Sequence, residues 1–176
     1  MFEHILVTGG AGFVGAALAI AFKKQYPQTA VTAFDNLHRR GSELNLSRLR
    51  EAGVEFSHGD VRSSEDLKSL ANPPDLILEC SAEPSAQAGY GGSPEYLINT
   101  NLLGCFNCLE LARRHNSAVV FISTSRVYPY RRLKMTCASL KMPLATRYRR
   151  IRIFQARRPS ELQRRFRWTV PDRSTA

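Results

Sequence analysis

The sequence predicts an α/β fold in three layers (αβα), with helices on both faces of a doubly wound parallel sheet. Short apolar runs alternate with helical stretches through five strands, and a glycine-rich turn joins the first strand to the first helix. Such alternation gives parallel strands joined by right-handed crossovers, and the expected strand order is 3-2-1-4-5. A ligand crevice is then expected at the carboxyl ends of the first and fourth strands.

The glycine-rich turn at residues 9–15 has the spacing of a dinucleotide-binding loop. An apolar run, Ile5 to Val7, precedes it, and an alanine-rich stretch, Ala16 to Lys24, follows it. Glycines permit the tight turn, the approach of a pyrophosphate to the backbone and close packing of the helix on the strand. The helix N-terminus adds free N–H groups and a positive dipole end. The cofactor-binding residues predicted here are Gly9, Gly12, Phe13, Val14 and Gly15.

The remaining elements follow from apolar runs and capping residues. Five short apolar runs are predicted as strands: 4–8, 30–34, 54–57, 76–78 and 118–122. The stretches between them are predicted as helices: 12–26, 42–52, 65–70 and 95–115. Pro27 ends the first helix, Ser42 is the expected N-cap of the second, and Ser63 or Ser64 can cap the third.

Asp35 directly follows the second strand, 20 residues beyond Gly15. A carboxylate there accepts hydrogen bonds from adenosine ribose hydroxyls and repels a 2′-phosphate, so NAD is predicted rather than NADP. Arg39-Arg40 could neutralise such a phosphate, but Asp35 holds the first position after the strand. Asp60, after the third strand, is a candidate for the adenine edge, with Val61 against the ring. By spacing alone, Asp60 could equally be a helix-entry residue.

The four cysteines do not predict a metal site or a disulfide scaffold. Cys105-x-x-Cys108 could be a redox or zinc half-site, but it lies within one predicted helix and has no second ligand pair at zinc spacing. Both residues are interpreted as small buried helix residues.

Charge divides the chain into two parts. Residues 131–176 contain 14 Lys and Arg but only two acidic residues, a net charge of +12, whereas residues 1–130 carry −2. The expected organisation is a dinucleotide-binding domain over 1–130 and an irregular basic tail over 131–176 that is not a native domain. Such a tail can bind nucleic acid, but this one has little aromatic interleaving and no recognised motif, so a nucleic-acid partner is not predicted.

Location follows from two further observations. No apolar run approaches the roughly 20 residues needed to cross a bilayer, so no membrane association is expected. The N-terminus has no basic signal region, and a cytoplasmic location is therefore predicted.

Five segments carry a resemblance to a known family: Thr8–Gly15, Phe34–Leu37, Gly59–Val61, Asn101–Gly104 with the following Asn107–Glu110, and Ser123–Tyr128. They resemble the extended short-chain dehydrogenase/reductase family, the nucleotide-sugar epimerases and dehydratases. Within it, residues 34–42 and 123–128 are most similar to the CDP-paratose/CDP-tyvelose 2-epimerase branch. The resemblance implies a Rossmann-like domain, NAD as cofactor, a nucleotide-sugar substrate and a possible homodimer.

The resemblance also implies a chemistry. NAD takes a hydride from a sugar carbon, and the hydride later returns to the other face of the keto intermediate. Thr124 matches the catalytic position that hydrogen-bonds the reacting oxygen. Ser81 and Ala82 match the segment under the nicotinamide ribose, and Asn101 matches a helix residue that lines the site. The remaining residues assigned to cofactor binding are Asn36 and Ser123.

We expect the family's catalytic Tyr-x-x-x-Lys pair to be missing. Tyr148, 24 residues after Thr124, is followed by Arg152 at the lysine position, and arginine is a poor substitute for a compact ammonium group. The sixth strand and the substrate domain also have no counterpart. The expectation is therefore the cofactor-binding half of a family member, without activity. The alternatives are a non-catalytic NAD-binding module and, ranked below it, a basic nucleic-acid-binding protein.

A change of reading frame shortly after Tyr130 would explain the arginine-rich tail. Residues 168–176 can be encoded so that the overlapping frame spells Leu-Asp-Gly-Pro-Arg-Ser-Leu-Tyr-Gly. The end of that peptide resembles the family segment that carries the catalytic tyrosine, and a GC-rich gene read out of frame yields many arginines. The sequence is therefore expected to be a C-terminally truncated family member with an out-of-frame tail.

Overall fold

A computed structural model describes residues 2–85 and 87–123 of the chain. The strands are β1 (His4–Thr8), β2 (Ala30–Asp35), β3 (Glu55–His58), β4 (Leu76–Glu79) and β5 (Ala118–Phe121). The helices are α1 (Phe13–Gln25), α2 (Leu46–Glu51), α3 (Ser64–Lys68), α4 (Glu95–Ile98) and α5 (Cys105–His115). Within these described ranges, no helix has the length and apolar character needed to cross a membrane.

The five strands form one parallel sheet in the order β3-β2-β1-β4-β5, which confirms the predicted order. Val7 on the central strand β1 lies opposite Ala33 of β2 and Leu78 of β4. The side chains of β1 and β4 are buried along their whole length, because helices cover both faces of a sheet built by crossover connections. The expectation that short, continuous apolar runs form the inner strands is therefore confirmed.

Two hydrophobic clusters, one on each face of the sheet, complete the three layers. Ile5 and Val7 pack in one cluster with Ala16 and Ala19 of α1. Leu6, between them in sequence, packs in the other cluster with residues of α3 and α5. Successive strand residues point to opposite faces, so the alternation of one apolar strand supplies both clusters.

The second predicted helix differs from its expected form at its start. Residues Ser42–Asn45 form a 3-10 turn that leads into α2. Gly41 precedes the 3-10 turn with a φ of 94°, a left-handed conformation that glycine adopts freely, and Asn45, not the predicted Ser42, is the N-cap of α2. Ser63 caps α3 as predicted, since its hydroxyl accepts a hydrogen bond from the backbone N–H of Asp66.

The longest predicted helix, 95–115, is interrupted by a π-helical turn at Asn99–Gly104 between α4 and α5. A π-turn inserts residues into the helical register and is frequent at functional sites. Here it places Thr100 and Gly104 in the interior while Phe106 is 62% exposed. Cys108 is buried, as expected, but Cys105 is only partly buried. The interpretation of both cysteines as buried is therefore wrong for Cys105.

Candidate cofactor-binding site

A cavity of about 420 Å³ lies at the carboxyl ends of β1, β2 and β4, where ligands bind in doubly wound sheets. Ten residues assigned to cofactor binding from the sequence line it: Gly9, Gly12, Phe13, Val14, Gly15, Asp35, Asn36, Val61, Ser81 and Ala82. The cavity is therefore formed from segments that are far apart in sequence and meet only because the strands are parallel.

The glycine turn forms one wall of the cavity. Gly9 has a φ of +60°, and a Cβ there would lie 2.9 Å from the carbonyl group of Cys80. A Cβ on Gly15 would collide with the carbonyl oxygen of Gly9. Gly12 caps α1 without a side-chain hydrogen bond, so no capping side chain occupies the N–H groups of the first helical turn. These groups are free for an anion.

Two large apolar side chains begin α1 at the edge of the cavity. Phe13 is 92% exposed and Val14 is 45% exposed. Concave ligand sites are lined mainly by apolar groups with a few fixed polar ones. An apolar first turn beside free backbone amides therefore suits a ligand that has both phosphate and apolar ring surfaces.

Asp35 holds the backbone of two turns at the edge of the cavity. Its carboxylate accepts hydrogen bonds from the N–H of Ala11 at 3.1 Å and the N–H of Leu37 at 2.8 Å. Asn45 donates to the carbonyl oxygen of Ala11 at 2.8 Å, so both peptide groups of Ala11 are fixed. Each carboxylate oxygen still has a free lone pair, which can accept a hydrogen bond from a ligand hydroxyl. Arg39, which could neutralise the 2′-phosphate of NADP, also lines the cavity.

Asp60 does not line the cavity. Arg62 donates to both of its carboxylate oxygens, the shorter contact being 2.6 Å, and Asn36 donates to Oδ2 at 2.9 Å. Burial would raise the pKa of Asp60, but these hydrogen bonds lower it to about 2. Its N–H donates to Asp66 of α3 at 2.9 Å, so the helix-entry alternative describes its backbone. The predicted contact of Asp60 with adenine is not tested by the structure and stays a prediction.

The three other predicted positions lie away from the cavity wall or outside the described residues. The amide of Asn101 accepts from the N–H of Glu83 at 2.7 Å and donates to its carbonyl oxygen at 3.2 Å, so it braces the loop after β4. Ser123 is exposed beyond β5. Thr124, the predicted catalytic residue, lies outside the described residues.

Thr100 is a cavity residue that sequence reasoning missed. It is 7% exposed, lines the cavity, and its Oγ1 has no hydrogen-bond partner among the described residues. A buried hydroxyl without a partner is costly, so it marks a place where a ligand atom fits. The π-turn places it there, and no sequence signal predicted that turn. The other missed cavity residues are Phe34, Ser42, Gly59, Cys80, Pro84 and Tyr96.

Glu79 is a buried acid beside the cavity, directly after the run 76–78 that was predicted as the fourth strand. It is 3% exposed at the end of β4. Burial raises its pKa, against hydrogen bonds from Ser81 and, at 3.5 Å, from the hydroxyl of Thr8. None of the ion pairs among the described residues includes Glu79. The carboxyl of Glu79 therefore fixes Ser81, a cavity residue. The burial of this carboxyl lowers the stability of the fold.

The fold and the site define a dinucleotide-binding α/β protein. The closely packed glycine turn leaves space where a side chain would otherwise lie, and the free helix N-terminus and unpartnered Thr100 offer donors to a ligand. These features fit a dinucleotide with its phosphates at the start of α1.

Comparison with known proteins assigns the family. The model of the NAD dependent epimerase/dehydratase family matches residues 5–153. dTDP-glucose 4,6-dehydratase from Mycobacterium tuberculosis is 33% identical over 125 residues, which cover 71% of this chain and 37% of the relative. CDP-paratose 2-epimerase from Salmonella typhi is 34% identical over 129 residues, covering 70% and 37%. The solved UDP-glucose 4-epimerase from Bifidobacterium longum in complex with NAD+ and UDP has a TM-score of 0.62 at 25% identity, covering 71% and 38%.

The chain belongs to the NAD dependent epimerase/dehydratase family. This confirms the family resemblance and NAD as the cofactor of the site. The chain spans little more than a third of the length of the curated relatives it matches, 37% in both cases above.

The expectation that the sequence lacks a Tyr-x-x-x-Lys pair is wrong. A Tyr-x-x-x-Lys spacing does occur in the sequence, at Tyr130 and Lys134. It lies much closer to Thr124 than the Tyr148 pattern does. All of these residues lie outside the described ones, so the sequence spacing alone corrects the expectation.

The first prediction concerns Glu79. Because its pKa is higher in the folded than in the unfolded chain, the folded state binds the proton more tightly, and stability falls as pH rises above the ordinary value of 4.5. Each unit by which folding raises the pKa lowers the free energy of unfolding by about 1.4 kcal/mol once the pH is above the pKa of the folded state. Glu79→Gln is expected to raise the free energy of unfolding at pH 7 and to flatten its decline above pH 4.5, measured by urea denaturation. The matched control is Glu51→Gln on the exposed surface of α2. Equal pH slopes in Glu79→Gln and wild type would contradict the prediction.

The second prediction concerns Thr100. Thr100→Val replaces an unpartnered hydroxyl with a methyl group, so the free protein should be as stable as wild type or more stable. NAD affinity should fall about three- to tenfold if the hydroxyl binds the cofactor. Thr32→Val is the contrast, because that hydroxyl hydrogen-bonds His4 at 2.9 Å; it should lower stability and leave NAD affinity unchanged. Thermal unfolding and calorimetric titration measure both, and wild-type affinity in Thr100→Val would refute the assignment.

Proposed function

We propose that this chain binds NAD as the cofactor-binding half of a nucleotide-sugar epimerase or dehydratase. The observation that carries the proposal is the cavity formed by the glycine turn, Asp35 and Ser81 at the carboxyl ends of the central strands. Its supporting evidence is the family match over residues 5–153. The substrate class comes from the relatives, whose names specify dTDP-, CDP- and UDP-linked sugars.

The narrower substrate proposal is a CDP-sugar 2-epimerase-like protein. It is supported by the similarity of residues 34–42 and 123–128 to that branch and by the 34% identity with CDP-paratose 2-epimerase. In this proposal the nucleotide sugar is the partner of the bound cofactor.

The described residues divide the work of holding the cofactor. The free N–H groups at the start of α1 would bind the phosphates, and Asp35 would accept hydrogen bonds from ribose hydroxyls. Ser81, fixed by Glu79, and Ala82 would support the nicotinamide end. When bound, NAD supplies a hydride acceptor for a sugar carbon. Thr124 would hydrogen-bond the reacting oxygen, as the family resemblance implies.

We propose that binding occurs without turnover. The Tyr148 pattern ends in Arg152. Two arginines lie between Tyr130 and Lys134, where the family resemblance implies a small, alanine-rich helix. The family resemblance implies that the base of this reaction is a tyrosine whose pKa a nearby ammonium group lowers. Neither pattern supplies the setting in which the family places that pair.

The arginine-rich tail is proposed to be an out-of-frame continuation. The support is its charge of +12 and the family-like peptide that an overlapping frame can encode. Alignments with four curated relatives cover 118 to 131 residues, although the family match continues to residue 153. The gene sequence tests the proposal: an overlapping frame that encodes no family-like tyrosine segment would refute it.

We also propose that a second copy of the chain is a partner. The support is a stripe of exposed apolar side chains along residues 98–109, spaced as one face of a helix: Ile98 (46%), Leu102 (68%), Phe106 (62%) and Leu109 (51%). Contiguous exposed apolar surface of this kind marks protein interfaces.

The third prediction concerns this stripe. A charge in the middle of a packed apolar interface is costly to desolvate, so Phe106→Glu should convert a dimer to a monomer. Tyr90→Glu, at a side chain that is 94% exposed and outside the stripe, should leave the dimer intact. Sedimentation velocity over a dilution series measures the mass; a monomeric wild type, or a dimeric Phe106→Glu, would contradict the proposal.

The fourth prediction tests cofactor binding and the absence of turnover together. In calorimetric titration, NAD should bind with a stoichiometry of one, and NADP should bind at least about tenfold more weakly because Asp35 repels its 2′-phosphate. Incubation with NAD and CDP- or UDP-sugars should yield no epimer by nuclear magnetic resonance. No NAD binding would refute the proposed function, whereas epimer formation would refute only the proposed inactivity.

A further inference from the structure

A closed circuit of contacts, four between side chains and one to a backbone N–H, lies at the edge of the cavity. It runs through Asn36, Asp60, Arg62, Tyr96 and His38 and returns to Asn36; we refer to these five residues as the Tyr96 circuit. Asn36 and Tyr96 both line the cavity. The residues Arg62, Tyr96 and His38 have no role in the function described so far.

Each contact in the Tyr96 circuit is explicit in the geometry. Asn36 donates to Asp60 at 2.9 Å, and Arg62 donates to Asp60 at 2.6 Å. The guanidinium carbon of Arg62 lies 4.9 Å from the centroid of the Tyr96 ring. The Tyr96 ring stacks on His38, with centroids 4.6 Å apart and an angle of 30° between the planes. The backbone N–H of His38 donates to Oδ1 of Asn36 at 3.0 Å, which closes the circuit.

The Tyr96 circuit joins the two halves of the fold across the crevice. Asn36 and His38 follow β2, and Asp60 and Arg62 follow β3, on one side of β1. Tyr96 belongs to α4, within the crossover from β4 to β5 on the other side of β1. The contacts of Tyr96 with His38 and Arg62 therefore bridge the point at which the strand order reverses.

The bridged end of the cavity is the end proposed for adenosine. Asp35, Gly59 and Val61, at the ends of β2 and β3, line the cavity together with Asn36 and Tyr96. A ligand held between these loops and α4 would lie beside the bridge. Stacking and cation–π contacts are individually weak at exposed positions, so the bridge can open and close.

We propose that Tyr96 is a positioning residue for the adenosine part of the cofactor, which it retains by bridging from α4 to His38 and Arg62 on the opposite side of the crevice. The inference rests on the proposed function, because it concerns the same cofactor site. Tyr96 acts through its two neighbours, and its effect is on the rate at which the cofactor leaves.

The test compares four chains: wild type, Tyr96→Ala, Tyr96→Phe and Tyr90→Ala. Tyr96→Ala removes both ring contacts, and the dissociation rate of NADH, measured by stopped-flow displacement with excess NAD, should rise about tenfold. The association rate and the stoichiometry of one should not fall. Tyr96→Phe keeps the ring and should dissociate within about twofold of wild type. Tyr90→Ala removes a tyrosine that is 94% exposed and does not line the cavity, and should match wild type.

A second variant and a second ligand keep the test independent of folding. His38→Ala truncates an exposed loop side chain and should raise the dissociation rate about threefold, because one contact of Tyr96 remains. ADP-ribose, which carries the adenosine part without nicotinamide, should lose affinity in Tyr96→Ala by the same factor as NAD.

The outcomes separate this inference from the proposed function. Wild type that does not bind NADH refutes the proposed function and this inference with it. Wild type that binds, together with an unchanged dissociation rate in Tyr96→Ala and His38→Ala, overturns the role of Tyr96 alone. An effect on NAD that is absent for ADP-ribose also overturns it, because the adenosine end would then not be the part retained.

Discussion

The close approach of the backbone at the end of β1 to the start of α1 is the constraint on which the site depends. A Cβ on Gly15 would occupy the position of the Gly9 carbonyl oxygen, and one on Gly9 would press on the peptide of Cys80. Because neither residue has a side chain, α1 begins directly at the sheet, and its free N–H groups face the crevice. Asp35 and Asn45 hold Ala11 from the opposite side. The position of the phosphate-binding groups is therefore set by packing before any ligand arrives.

Two departures from good burial lie against the same cavity. Glu79 is a buried acid without a cationic partner among the described residues, and Thr100 is a buried hydroxyl without a hydrogen-bond partner among them. Both cost stability, because a buried polar group that lacks a suitable partner loses its hydration without full compensation. Natural sequences accept such costs mainly where function requires a polar group. Thr100 in the cavity wall and Glu79 behind the cavity residue Ser81 thus mark the cavity independently of the glycine turn.

The fold could be predicted because its signals are local. Alternating apolar runs and helices set the strand order, and a glycine turn followed by an acid after the second strand located the cavity. The parts that were missed depend on tertiary structure. Thr100 reaches the cavity only because a π-turn changes the helical register, and Tyr96 matters only because a crossover brings it to loops 58 and 34 residues earlier. Gly10 belongs to the glycine-rich turn at residues 9–15. Its second constraint is tertiary, because a Cβ at this position would collide with Ala33 of β2.

The order of these residues along the chain makes cofactor binding separable from turnover. Every described residue that lines the cavity falls between Gly9 and Thr100, at or after the ends of β1, β2, β3 and β4. The groups that the family resemblance assigns to the reaction, Thr124 and a later tyrosine–lysine pair, all follow β5. A change in residues 131–176 therefore removes none of the described residues that line the cavity. For this reason the affinity for NAD tests the described fold, whereas the fate of a nucleotide sugar tests the rest of the chain.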